Sequence, residues 1–523
     1  MLELFPFYLA IIIVIVLLVM LANKAKIAYP VLLVLAGLII SFIPGIPTIQ
    51  IEPELIFIIF LPPLLYEASW SISWKELWKW RRIITSFAFL VVFLTASSVA
   101  LVANAFIPGF SLALGFLLGG IVSPPDAVSA GAILKFVKVP KRLSSILEGE
   151  SLLNDASSLI IFRFAMIAVA TGQFVWYEAA LSFSWMVVGG TGIGLLVAWV
   201  FLKIHRNLPT DVNMDVVLTL VTPYFMYIAA EEVHSSGVLA VVSGGLFLSH
   251  KRHQFLSSAS RLRGINVWES LVFILNGLVF LLIGLDLPEI TAGIPDLSIA
   301  ASVGYGLLIT GVLIVVRILA AYGAVLVTLI MRNFITVADR RSPGFRVPLI
   351  LGWAGMRGVV SLAAALSIPV YLDNGAEFPQ RNLILFITFV VILCTLLMQG
   401  LSLPYLIKVV NPPHYDDYLP EEEADLKLKK ELSVYTSQLL AENYSDELQH
   451  SAALQSMVSK WKSENDQLPL IFSDEIKSIQ LEILEKQRLW LMKKNNLEDK
   501  YEEDLIRKFI RNLDLEEEKI KLL

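Results

Sequence analysis

Long apolar runs, broken at regular intervals by short polar stretches, dominate the first four-fifths of the chain. A helix crossing the hydrocarbon of a bilayer needs about 20 mostly apolar residues. Windows of that kind lie near 5–22, 28–46, 52–70, 83–107, 111–134, 143–170, 180–202, 212–231, 236–250, 267–285, 298–331, 347–370 and 383–409. The pattern therefore predicts thirteen spans, the ninth short and the eleventh long enough to hide a bend. The first window follows MLELFPF, which has Glu3 but no Lys or Arg. A secretory signal carries a positive leader, so the window reads as a span rather than a cleaved signal.

The polar stretches between windows alternate in charge. Lys24 and Lys26, then Lys75, Lys79, Arg81 and Arg82, then Lys135, Lys138, Lys141 and Arg142 mark every second loop. The series continues with Lys203 and Arg206, with Lys251, Arg252, Arg261 and Arg263, and with Arg332, Arg340, Arg341 and Arg346. The intervening loops hold only Arg381. Basic residues in short loops stay on the cytoplasmic side. This alternation predicts an external N-terminus and a cytoplasmic C-terminus, and a single missed or invented span would break it.

After NPP at 411–413 the character changes to Glu, Asp and Lys, with apolar positions at helical spacing such as Ile476, Ile479 and Ile483, or Leu505, Phe509 and Leu513. Two domains are predicted: a transmembrane domain over 1–411 and a helical cytoplasmic tail over 412–523, regulatory or structural in role. The sequon at Asn443 would lie on the cytoplasmic side, away from glycosylation.

Composition agrees. Of 523 residues, 56% are hydrophobic and 17% charged, against roughly 45–50% apolar and 25% charged in soluble domains. Mean hydropathy is +0.71. The fold class is an all-α polytopic membrane protein with a lipid bilayer as its surroundings. A formal net charge of -5 gives no sign of a nucleic-acid partner, and one cysteine, Cys394, excludes an internal disulfide framework.

Thirteen spans divide as six, one and six, and the two groups of six then have opposite topology. Secondary transporters are often built from such inverted repeats, with Gly/Pro-interrupted helices at matching places. The fifth span carries Gly119, Gly120, Pro124 and Pro125 just before Asp126; the twelfth carries Gly352, Gly355 and Gly358 around Arg357. Both are predicted to break mid-membrane with a charge at the break. In the sixth span, Asp155 lies thirteen residues past Arg142, roughly 20 Å along a helix and so near mid-bilayer. Ser151, Asn154, Asp155 and Ser158 share one face of it, with Glu150 beginning the next row.

Glu67, Arg163, Glu269, Arg317 and Arg357 are also placed at depth. With Asp126, Glu150 and Asp155 they would cost on the order of 20 kcal/mol if isolated, so they are paired, hydrated or in use. Pairing or snorkelling at a helix end is the reading for Arg163, Glu269 and Arg317. An oxygen-rich anionic site suits a hard cation. Three classes fit this much: a cation/proton carrier, a gated cation channel, and an intramembrane aspartyl protease using Asp126 with Asp155. The protease lacks G-x-G-D and gives Asn154, Ser151 and the second broken helix no task.

LPPLLYEA, SPPDAVSAGAILK, PKRLSSILEGESLLND and WAGMRGVVSLA, in this order, resemble the NhaP-type monovalent cation/proton antiporters, relatives of the eukaryotic sodium/proton exchangers. The resemblance covers residues 5–409. It implies a homodimer in the cytoplasmic membrane, each protomer having a dimerisation domain and a six-helix core that moves against it, with no cofactor and no enzymatic activity. It also implies that Asp155 accepts Na⁺ (or Li⁺ or K⁺) and H⁺ in competition, with Ser151, Asp126 and the Pro125 carbonyl as further cation ligands and Glu67 contributing through water. Asn154 would hold the broken-helix core, and Glu150 would pair with Arg357. In one respect the chain departs from the pattern: many relatives have Thr or Ser before the aspartate and Pro after it, whereas Pro125 and Ala127 stand here. The backbone carbonyl survives and a hydroxyl ligand does not. A related family of similar fold has a second aspartate where Asn154 stands and exchanges two protons per sodium. An amide cannot titrate, so one-for-one electroneutral exchange is expected.

Overall fold

A computed structural model describes residues 5–43, 53–134, 137, 139–172, 176–285, 288, 290, 299–331, 344–372, 375–412, 419–444, 455, 474–497 and 501–522. The regular structure of the described residues is helical, apart from an isolated bridge between Tyr371 and Glu377. They form α1 (Phe5–Ala25), α2 (Tyr29–Ser41), α3 (Pro53–Ser71), α4 (Trp74–Phe106), α5 (Leu112–Val122), α6 (Ala127–Leu134), α7 (Lys141–Thr171), α8 (Trp176–Asn207) and α9 (Val212–Glu232). There follow α10 (Gly237–Phe255), α11 (Ser258–Leu285), α12 (Ile299–Met331), α13 (Arg346–Trp353), α14 (Val359–Leu366) and α15 (Arg381–Val410), and in the tail α16 (Glu421–Asn443), α17 (Asp474–Leu497) and α18 (Glu503–Leu522).

By length and composition α4, α7, α8, α9, α11, α12 and α15 can each cross a membrane. Their outward faces are apolar: Leu181, Val188 and Leu196 on α8 and Leu319 and Leu326 on α12 are all exposed. A run of exposed large aliphatics is unfavourable in water and suits hydrocarbon. Within the window at 298–331, Ile299–Met331 is one uninterrupted helix, α12. The two expected breaks are present. Residues 123–126 separate α5 from α6, and residues 354–358 separate α13 from α14.

Small residues decide how closely helices approach where lipid supplies no hydrophobic drive. Gly115 and Gly119, one turn apart on α5, face Ala100 and Ala96 of α4. A Cβ at either would come within 2.6 and 2.5 Å of those residues' carbonyl oxygens. Within α4, Ser86–Val91 winds as a π-helical turn, and the Ala88 carbonyl in that turn accepts a hydrogen bond from Ser157 of α7. In α3, Pro62 and Pro63 interrupt the ladder. Pro63 has no N–H for the Ile59 carbonyl four residues back, and the Tyr224 hydroxyl donates to that carbonyl at 3.2 Å.

The chain divides into two compact units. The first comprises 1–210, 214–255 and 267–414; the second comprises 211–213, 256–266 and 415–523. In the second, Leu428, Leu484, Leu491, Tyr501, Ile506 and Ile510 form an apolar core of their own. Beside it lies a buried ion cluster: Arg261, at the start of α11, and Arg488 of α17 both donate to Asp514 of α18. Arg488 also reaches Glu517 at 2.6 Å, and Ser258 donates to the same carboxylate.

Candidate functional site

The two breaks meet. The Asp126 N–H donates to the Met356 carbonyl at 2.7 Å, joining the first interrupted helix to the second. Five residues past Val122 the chain restarts as α6, whose first N–H groups have no helical partner. Asp126 supplies one: Oδ1 accepts from Val128 N–H at 3.1 Å, and Oδ2 accepts from the Ser129 N–H at 3.1 Å and from its hydroxyl. A negative charge there also faces the positive end of the α6 dipole. The carboxylate fits only because residue 358 is glycine; a Cβ on Gly358 would lie 2.4 Å from Asp126 Oδ2.

At the other break the cation does the matching work. Arg357 is wholly buried, its Nε donates to the Val122 carbonyl at the C-terminal end of α5 at 2.8 Å, and its Nη1 donates to the Gly355 carbonyl. Its backbone N–H is held by the Thr395 hydroxyl at 3.2 Å. Carbonyls orphaned at a helix end carry partial negative charge, so a guanidinium suits them.

Helix α7 runs past this crossing. Asn154 is fully buried, and its Nδ2 donates to the Pro125 carbonyl at 3.0 Å. That carbonyl keeps a second lone pair. Asp155 follows with 8% of its surface exposed, close enough to Asp126 for the two charges to interact. Ser151 lies on the same face of α7 one turn earlier and is partly buried. The charges of Asp126 and of Glu67 on α3 both reach the Tyr29 hydroxyl on α2. The structure thus gathers Asp126, Pro125, Asn154, Asp155 and Arg357 around one crossing, with Glu67 on its flank.

Glu150 does not pair with Arg357, contrary to the expectation. Arg317 of α12 takes it, Nη1 to Oε1 at 2.7 Å and Nη2 to Oε2 at 2.9 Å, with both side chains out of solvent. The fork geometry of a guanidinium fills both carboxylate oxygens, which leaves Arg357 to the helix-end carbonyls. Gly355 makes room for both cations, since a Cβ there would lie 2.5 Å from Arg317 Cδ and 3.1 Å from Arg357 Nη1. Arg163 is likewise paired, with Glu231 of α9, while Glu269 is exposed on α11.

Reasoning from sequence missed four supporting residues. Ser129 was visible in principle, because an Asp just ahead of an apolar run is a helix-start signal and its side chain accepts from the N–H two or three residues on. Thr395, Tyr29 and the choice of Arg317 depend on which helices are neighbours, and no local pattern encodes that.

The transmembrane sodium/hydrogen exchanger family model matches residues 10–409, and the chain belongs to this family. It is 35% identical over 390 residues to the sodium, potassium, lithium and rubidium/H⁺ antiporter of Bacillus subtilis, covering 72% of this chain and 57% of that protein. It therefore spans little more than half of that relative's length. Against the Na⁺/H⁺ antiporter ApNhaP of Aphanothece halophytica, identity is 34% over 388 residues, with 73% of this chain and 70% of the relative covered. The fold is similar to that of the sodium proton antiporter MjNhaP1 of Methanocaldococcus jannaschii, with TM-score 0.62 and 18% identity over 78% of this chain and 99% of the other.

Proposed function

We propose that the protein is a secondary antiporter that exchanges one Na⁺, with Li⁺ and K⁺ as the other candidate substrates, for one H⁺ at Asp155. The observation that carries this reading is the charge balance where the helices cross. Glu150 and Arg317 neutralise each other; Asp126 and Asp155 bring two negative charges against the single positive charge of Arg357. With Glu67 standing on the flank and outside this count, one further positive charge makes the crossing neutral. Either a sodium ion or a proton supplies it, and a carboxylate stripped of water favours both over standing bare.

Competition for one site explains coupling. If the carrier reorients only when the crossing is neutral, each passage takes one cation or one proton, and opposite passages exchange them. Asp155 is the shared acceptor. Asp126, Ser151 and the free lone pair of the Pro125 carbonyl complete an oxygen shell suited to a hard cation, and Glu67 contributes through water. Asn154 holds the Pro125 carbonyl in place without titrating. The same reading takes the apolar windows as thirteen spans in two inverted repeats, with the N-terminus outside and the tail over 412–523 in the cytoplasm. It also takes the working unit as a homodimer in the cytoplasmic membrane that moves its core by alternating access. No enzymatic step and no cofactor enter this cycle.

Purified protein in liposomes, given Na⁺, Li⁺ and K⁺ gradients separately with internal pH recorded, tests the function. Saturable proton movement driven by at least one of these cations is expected. Cation flux without proton counterflow would mark a channel instead.

A further inference from the structure

We propose that the Arg163–Glu231 ion pair is the outer gate of the ion path, barring the way to Asp155 until the pair parts. The inference rests on the exchange reading above. A cavity of about 190 Å³ lies where α3, α7, α8, α9, α10 and α14 come together, and among the described residues Arg163 and Glu231 are the only charged ones lining it. Its wall on α7 includes Leu159 and Arg163, four and eight residues past Asp155. These positions continue the face that carries the carboxylate, and eight residues place Arg163 about 12 Å beyond it. Tyr227 and Glu231 of α9, Val238 of α10 and Ser367 just past α14 complete the surround. All lie toward the helix ends opposite the basic loops, so the cavity belongs to one side of the barrier.

The two partners are held differently. Glu231 is fixed locally, because its Oε1 accepts the Gly237 N–H at 3.2 Å across the turn between α9 and α10. Arg163 rides on α7, the helix that carries Asp155, and donates to the other oxygen. Any shift of α7 along α9 must break this bridge. The side chains of Arg163 and Glu231 are 41% and 31% exposed and line the cavity, so water in that cavity replaces the lost partner at little cost. By contrast, Glu150–Arg317, at 0% and 2%, is too deeply buried to part in each cycle. While closed, Arg163 repels an arriving cation; once it withdraws, Glu231 becomes the first carboxylate that a cation from that side meets.

A linker tests the gate. In a Cys394→Ala background, Arg163→Cys and Glu231→Cys are combined, and a reducible bis-methanethiosulfonate reagent spans the two thiols. Exchange in liposomes should fall at least tenfold in linked protein and return on reduction, while either single cysteine with reagent retains it. Linked protein, verified by mass, that exchanges within twofold of the reduced form overturns the proposal. So does failure of the linker to bridge the two sites, and so does a reduced double variant without exchange, which would place the pair in the binding site or the fold. The Cys394→Ala parent separates the two readings: if it shows no exchange at all, the antiporter assignment itself has failed.

Discussion

Arg317 holds Glu150 through both carboxylate oxygens, at 2.7 and 2.9 Å, in a site closed to solvent. Removing one partner strands the other charge in low dielectric, which costs about 3–5 kcal/mol, whereas removing both costs less. Thermal unfolding in detergent of Glu150→Gln, Arg317→Met and the double variant should therefore show strong non-additivity. A cycle with Glu150→Gln and Arg357→Gln should show the weaker coupling, because those two share no hydrogen bond. Equal coupling in the two cycles would mean that Arg317 is not the main partner.

Asp126 has two tasks that one substitution separates. As a helix cap, Asn is about as good as Asp, and in Asp126→Asn the amide oxygen still accepts from one of the two N–H groups, Val128 or Ser129, that the two carboxylate oxygens now share out between them. Stability should change by less than about 1 kcal/mol, while Na⁺-driven proton flux falls at least tenfold because the crossing loses a charge. Unchanged flux would reduce Asp126 to a cap.

Gly358→Ala probes the same contact from the other side. Its Cβ would meet Asp126 Oδ2 at 2.4 Å, a separation that no rotation of an alanine relieves. The carboxylate must shift, and the variant should exchange more slowly with a raised KM for Na⁺. A kinetically normal Gly358→Ala would show that the position of Asp126 has no bearing on cation binding.

In the second unit, Asp514 receives both Arg261 and Arg488 with all three side chains buried. Asp514→Ala takes the carboxylate away from the buried Arg261 and leaves Arg488 with Glu517; it should cost about 3–5 kcal/mol, seen as faster hydrogen exchange in α17, α18 and residues 256–266 together. Faster exchange confined to α18 would show that Asp514 does not tie these segments to one another.

Both helix breaks were legible in the sequence because their causes are local: Pro124 and Pro125 remove N–H donors, and glycines at 355 and 358 admit unusual backbone and close approach. The shared face of Ser151, Asn154 and Asp155 follows from helical periodicity alone. The partner of Glu150 was not legible. Arg317 and Arg357 are the same residue type at similar depth, and only the packing of α12 against the crossing decides between them. Tyr29 and Thr395 stayed hidden for the same reason: neither carries a charge, so an apolar window gives no hint of the neighbour it meets.

Voltage most directly tests the claim that one Na⁺ or one H⁺ neutralises Asp155. Liposomes holding the protein should first show Na⁺-gradient-driven proton flux, which Asp155→Asn abolishes while remaining folded. With Na⁺ and pH equal on both sides, a potassium diffusion potential set by valinomycin is then imposed, K⁺ having been excluded as a substrate beforehand. The account predicts no protein-dependent change in internal pH at either polarity. A pH change that reverses with the sign of the potential would demonstrate net charge movement in each cycle and contradict one-for-one exchange at a single acid.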